Sequence, residues 1–207
     1  MLELFLNYFV EDEVTEKEKR CQKECTKQVI NDSNLHYLFE NFGGKSFNNG
    51  IYRIHSFESG FKWTEIVKNG FPEFGKNILI FGYDWLGRQF GISLDRERQI
   101  IFFDVATNES FNIPNLDVFE FHNSELVEFE DDALAKIGFE KWRAVNEEQI
   151  GLDKCVGYIV PLFLGGRDEI DNYEICDMEV YWDLNLQLIQ QIDKLPPGSN
   201  INKIGLS

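Results

Sequence analysis

The stretch "NILIFGYDWLGRQFGISLDRERQIIFFDVATNESFNIP", Asn77 to Pro114, decides the fold. It contains four apolar or alternating runs of strand length, "NILIFGYDW", "RQFGISLD", "QIIFFDVA" and "ESFNIP", joined by short polar connections. Parallel neighbours need crossovers of a dozen or more residues, so runs this close together predict an antiparallel meander. Between the first two runs "GYDWLG" has a glycine at each end, and a tight connection accounts for both Gly82 and Gly87. Asp84 and Arg88, four apart, are placed to form an ion pair across the turn, with Trp85 capping the core beneath. Gly82, Asp84, Trp85, Gly87 and Arg88 are therefore read as a structural turn; the competing reading is a partner-binding or ligand-binding loop.

Outward from this stretch the pattern becomes helical on both sides. "IYRIHSF" alternates like a strand, and "FKWTEIVKNGFPEF" sets Trp63, Ile66, Val67 and Phe71 on one helical face before Gly70 and Pro72 end it. Further upstream, "LELFLNYF" and "CQKECTKQVI" read as helical, and "NLHYLFENFGG" as a short helix capped at Ser33 or Asn34 and stopped by Gly43 and Gly44. Downstream, 115–145 reads as a short helix or turn and then a longer helix, capped at Asp131 or Asp132, with Leu134, Ile137 and Trp142 as its apolar stripe. "VGYIVPLFLGG" follows as a buried extended segment interrupted at Pro161, and an alternating stretch then passes into a helix stopped by Pro196 and Pro197. The expected architecture is α+β: an antiparallel sheet flanked by helices over 51–207, with an N-terminal helical segment over 1–50.

Composition bounds what the chain can do. Its 207 residues suffice for one good core, and 43% hydrophobic residues, including 19 Phe, supply the apolar surface that offsets chain entropy. A formal charge of −16 repels phosphate backbones and anionic lipid headgroups, so nucleic acid and membrane surfaces are not expected partners. A basic protein partner fits the charge, as does simple solubility. No window reaches the roughly 18 consecutive apolar residues of a membrane helix, and the chain reads as cytoplasmic. Cys21 and Cys25 share a helical face, but neither they nor Cys155 and Cys176 show zinc spacing, and His36, His55 and His122 add none; no metal is expected.

The motifs of catalysis are missing as well. "GYDWLG" lacks the Lys and Ser/Thr of a phosphate loop, and neither G-x-G-x-x-G nor G-x-S-x-G occurs, so no cofactor is expected. One enzymatic alternative remains, a small hydrolase or nucleotide-binding site assembled from scattered residues such as Cys155, His122 and Asp84. Charge stands out more. Seven acids and no base lie between Asp168 and Asp183, and ten acids face three Lys or Arg between Asp117 and Glu148. The first of these runs does not follow the calcium-loop register; it reads as a solvated face, a docking surface for a basic partner, or a divalent-metal site. Folding could merge the two runs into one negative field.

Three blocks in succession carry a family resemblance: "FGYDWLGRQFGISL", then "FNIPNLDVFEFHNSELVEFEDDALAKIGFEKW", then "CVGYIVPLFLGGRDEIDNYEICDMEVYWDLNLQLIQQIDKLPPGSNI". From about Ile51 to Ile204 the chain resembles the immunity proteins of type VI secretion DNase toxins. These have a Tdi-type C-terminal immunity domain, often found behind a GAD-like segment, and are similar in outline to the wider SUKH immunity superfamily. The first fifty residues lie outside the resemblance. It implies an α+β scaffold in the cytosol that binds a cognate toxin, a basic nuclease domain, without chemistry of its own. On that reading the acids to examine are Glu125, Glu128, Glu130 and Asp131 in one run, and Asp168, Glu169, Asp171, Glu174 and Asp177 in the other. Tyr173, Tyr181 and Trp182 among them are either aromatic anchors or core, with core favoured for Trp182.

Overall fold

A computed structural model describes residues 1–13, 32–75, 77–94 and 99–196. The "CQKECTKQVI" helix, with Cys21 and Cys25, lies outside the described residues. The four runs between Asn77 and Pro114 are consecutive antiparallel strands: β3 (Ile78–Asp84), β4 (Gln89–Ser93), β5 (Ile100–Asp104) and β6 (Glu109–Ile113). Two short strands, β1 (Ser46–Phe47) and β2 (Tyr52–Ile54), extend the meander to six strands in sequence order. A separate two-stranded hairpin pairs β7 (Lys154–Tyr158) with β8 (Tyr173–Asp177). The fold is α+β, as expected.

Alternation along the strands sends aromatic rings to both faces of the sheet, and helices cover each. Phe90 and Phe102 are register partners, so Phe103 lies on the opposite face. On the Phe103 side pack α3 (Phe57–Gly70) and α7 (Met178–Ile192), through Trp63, Phe71 and Trp182. On the Phe90 side pack α1 (Glu3–Tyr8) and α4 (118–128), through Phe5, Tyr52, Phe81, Phe121 and His122. β3 is consequently buried at every position. Helix α3 approaches it closely: a Cβ on Gly60 would sit 2.8 Å from the Ile80 carbonyl oxygen. At a bulge between Ile80 and Gly82 the Ile80 amide donates to Thr64 Oγ1 at 2.9 Å.

The N-terminal segment is part of the same core. Phe5 and Phe9 are buried against Phe47 and Tyr52, and a boundary at residue 50 divides the sheet between β1 and β2. The Asp12 carboxylate accepts from the Ser46 hydroxyl and from the amides of Asn49 and Gly50, where three consecutive residues from Asn48 have positive φ. Helix α2 (Ser33–Phe42) is capped by Asp32, one residue before the expected Ser33 or Asn34, because the Asp32 carboxylate reaches the amides of Asn34 and Leu35.

Two further expectations differ from the structure. The longer helix after Asp131 is broken into α5 (Glu130–Leu134) and α6 (Lys136–Arg143), because Ala135 takes φ 51° and cannot continue the helix. The Asp131 carboxylate instead accepts the Ile137 amide at the start of α6, and Ile137 is exposed rather than part of the buried stripe. Before them, α4 opens on a capping box from Asp117 to Glu120 and has a π turn over Phe121–Glu125. The second correction is Gly82. It lies in strand β3, not in the turn, and its missing side chain makes room for the Tyr52 hydroxyl, which would be 2.5 Å from a Cβ.

Candidate partner-binding surface

The turn from Asp84 to Arg88 is the frame on which the candidate surface is mounted. Asp84 is buried; its Oδ1 accepts the amides of Leu86 and Arg88, and its Oδ2 pairs with Arg88 Nε. Burial pushes the Asp84 carboxyl up to about 6, although the Arg88 guanidinium pulls it down. Arg88 lies over the Phe102 ring at 4.7 Å and donates to the Ala133 carbonyl. Trp85 is fully buried and donates Nε1–H to the Leu134 carbonyl at 2.8 Å, while its ring meets Phe139, Trp142 and Tyr173. The Trp85 carbonyl accepts from the Val156 amide, and the Gly87 carbonyl accepts from both Trp182 Nε1 and Gln89 Nε2. Gly87 has φ 78°, which the turn needs. The Asp84–Arg88 ion pair read from the spacing is present, and Trp85 lies in the core.

This frame holds the β7–β8 hairpin by its inner strand and presents the connection 159–172 outward. That connection is tightly built. The buried Asn172 amide donates to the carbonyls of Val160 and Arg167 and accepts the Val160 amide. A Cβ on Gly166 would fall 1.8 Å from the Val160 carbonyl oxygen, so the chain closes tightly there. Asp168 Oδ1 accepts both the Tyr158 and Tyr173 hydroxyls, and burial together with this carboxylate pushes both phenols up, holding them protonated. What the loop exposes is mixed: Ile159 at 58%, Val160 at 45% and Ile170 at 38%, beside exposed Asp168, Glu169, Asp171 and Glu174. Arg167 pairs with Asp171.

The other acidic run has the same composition on a different element. Glu128, Asp131 and Asp132 are exposed next to Phe129, 50% exposed, and Ile137, 53% exposed. Partial burial, then the charges of Asp132 and Glu128, push the Glu125 carboxyl up. Glu130 stands apart from its neighbours: it is buried and its carboxylate binds Lys136 at 2.6 Å, so it faces the protein rather than a partner. Asp177 is likewise engaged. It caps α7 through the Val180 amide, which with Lys154 holds its carboxyl below the usual range, and it lines a groove of about 680 Å³ between α3 and α7 with Glu179, Val180, Asp183 and Leu186.

Of the aromatic residues named from sequence, Trp182 and Tyr181 are core, and Tyr173 is half-buried against Trp85 and Tyr158. The exposed apolar residues were missed. "VGYIV" reads as one buried run, and nothing local in it shows that Asn172, twelve residues on, turns Ile159 and Val160 outward. The scattered trio is bonded elsewhere: Asp84 to Arg88, Cys155 to Cys176, and His122 to Val118 and Tyr52. The Val118 carbonyl can only accept, so His122 Nδ1 carries the proton and Nε2 accepts from the Tyr52 hydroxyl. Burial lowers His122 to about 4 and pushes the Cys155 thiol well above its ordinary value. Among the described residues no group of three or more His, Cys, Asp or Glu gathers to hold a metal, and no helix is long and apolar enough to cross a membrane.

The class this architecture defines is an α+β fold, a six-stranded antiparallel meander with helices on both faces and an appended hairpin. The chain is similar in fold to the crystal structure of Atu4351 from Agrobacterium tumefaciens, with a TM-score of 0.59 and 14% sequence identity over 90% of this chain and 89% of that one. At such identity the likeness shows the fold alone. No protein-family model matches the chain, and no curated protein does.

Proposed function

We propose that this chain is a non-enzymatic immunity protein that binds a basic protein toxin, a nuclease domain, in the cytoplasm. The observation that carries the reading is the pairing, at two places, of exposed large apolar side chains with exposed carboxylates: Ile159, Val160 and Ile170 among Asp168, Glu169, Asp171 and Glu174, and Phe129 and Ile137 among Glu128, Asp131 and Asp132. Apolar anchors ringed by like charges suit capture of a basic surface, with the anchors supplying affinity and the charge supplying speed and selectivity. A nuclease needs basic residues to hold phosphate, and a protein of charge −16 competes for that surface. The resemblance of the three sequence blocks to toxin immunity proteins points the same way. A buried His122 with both ring nitrogens already bonded is poor material for a general base, and Asp84 is committed to Arg88, which favours binding over catalysis.

The test is co-expression with the protein encoded beside this chain's gene, followed by capture at low salt. A stable complex is expected, with an association rate that falls about tenfold or more as ionic strength rises to physiological values. Ile159→Ser with Ile170→Ser should weaken the complex and leave the fold intact, since both side chains are exposed. Absence of any complex at low ionic strength rules the reading out.

A further inference from the structure

The β7–β8 hairpin sets two thiols face to face. Cys155 and Cys176 are register partners, with Sγ atoms 3.7 Å apart. Partner Cα atoms on an antiparallel ladder lie roughly 4.5–5.5 Å apart, inside the range of about 4.4–6.8 Å that a disulfide bridges, so closing the bond asks only for side-chain rotation. Space for that rotation comes from two glycines: a Cβ would meet Cys155 Sγ at 3.0 Å from Gly87 and Cys176 Sγ at 2.8 Å from Gly157.

The two sulfurs are unequal. Cys155 is fully buried, whereas Cys176 is half-buried and reachable. The hydrogen bond with Cys155 holds the Cys176 thiol below its ordinary value, and burial pushes Cys155 up. A buried guanidinium lies near the inner thiol: Arg53 is held by the carbonyls of Gly50 and Lys154, leaves Nε without a partner, and its charge favours a Cys155 thiolate. The outer cysteine is therefore built to react first and the inner one to resolve.

We propose that Cys155 and Cys176 form a redox-active dithiol that closes to a cross-strand disulfide by exchange with a small-molecule disulfide of the glutathione class. The Cys176 thiolate attacks one sulfur of the oxidant, its S–S bond breaks, and one thiolate leaves. Cys155, losing its proton to that thiolate, then attacks Cys176 Sγ and expels the second half as a thiolate, which takes up the proton that Cys176 gave to solvent on ionising. Two protein thiols are oxidised, one disulfide is reduced, and two small thiols are released. The product locks the connection 159–172 into a covalent ring. The inference is independent of the proposed partner.

The experiment uses the full chain with Cys21→Ser and Cys25→Ser, so that only the hairpin pair can react. It is equilibrated natively with glutathione and glutathione disulfide, acid-quenched, alkylated, digested and read by mass spectrometry. Expected are loss of both alkylatable thiols and a Cys155–Cys176 cross-linked peptide. Adding Cys155→Ser should arrest the reaction with glutathione on Cys176, and adding Cys176→Ser should leave the buried Cys155 unmodified. Two free thiols persisting in excess glutathione disulfide, glutathione left on Cys176 beside an intact Cys155, or cross-linking only after unfolding would each overturn the proposal.

Discussion

Asp84 shows what a buried ion pair asks of its surroundings. Its carboxylate is satisfied by two turn amides and Arg88, yet burial still lifts it to about 6. A carboxyl whose folded value lies above its unfolded 3.8 favours the fold when protonated, and that contribution is lost as pH rises through the folded value. Arg88→Met should therefore destabilise the chain by about 3–5 kcal/mol near pH 7 and by less near pH 5, where Asp84 folds as a neutral acid. Urea unfolding at the two pH values checks this; an equal cost at both would refute it. The buried histidines act in the opposite sense. His122 is lowered to about 4 and His55 to about 3, both mainly by burial, so their contribution is full above about 6.5 and is lost as pH falls toward those values. Each should cost on the order of 2 kcal/mol between pH 7 and 5, exceeding what Asp84 returns. Stability should fall over that interval, and His122→Gln should flatten the fall. The ion pair was legible from a four-residue spacing. The burial that sets the direction of these shifts was not, because it comes from helices far along the chain.

At the scale of elements, the meander was readable because its signals are local: alternation within a strand and turn residues between strands. The broken helix over 130–143 was not, since a left-handed Ala135 carries no compositional warning and Asp131 looks like an ordinary cap. The connection 159–172 failed for a related reason. Its apolar residues suggest burial, and only the Asn172 clamp, acting across twelve residues, turns them outward. Asn172→Ala removes three hydrogen bonds and leaves Val160 N–H and two carbonyls without them; it should cost about 1–3 kcal/mol. Limited proteolysis should then cut within 159–171 faster than in the parent chain, and unchanged cleavage there would count against the clamp.

For the whole molecule, the two acidic runs were visible as charge, but their division of labour was not. Glu130 and Asp177 hold the fold, while Glu128, Glu169 and Glu174 face outward. Counting cannot separate them, because a carboxylate bound to Lys136 and one bound to water read the same in sequence. The charge proposed to steer a partner also repels itself, so added salt should raise the denaturation midpoint of the free chain while weakening the proposed complex. Opposite responses to one variable distinguish a binding surface of this kind from a merely soluble one, and a complex indifferent to salt would refute the assignment.

The turn at Asp84–Arg88 has a consequence for how the chain comes apart. Its bonds to Leu134 and Trp182 span 49 and 95 residues, and further bonds tie it to Ile51 and Val156. Contacts so distant in sequence are costly to close before much of the chain is in place, so the turn should complete its bonds late in folding. A chain cut short before Met178 would strip the Gly87 carbonyl of its Trp182 donor and bare the Trp63 and Phe103 side of the sheet. It should fail to fold instead of yielding a smaller stable unit. The intact protein should unfold in one transition, with tryptophan fluorescence and far-UV circular dichroism giving coincident curves; separated curves would mean that the hairpin and α7 can let go on their own.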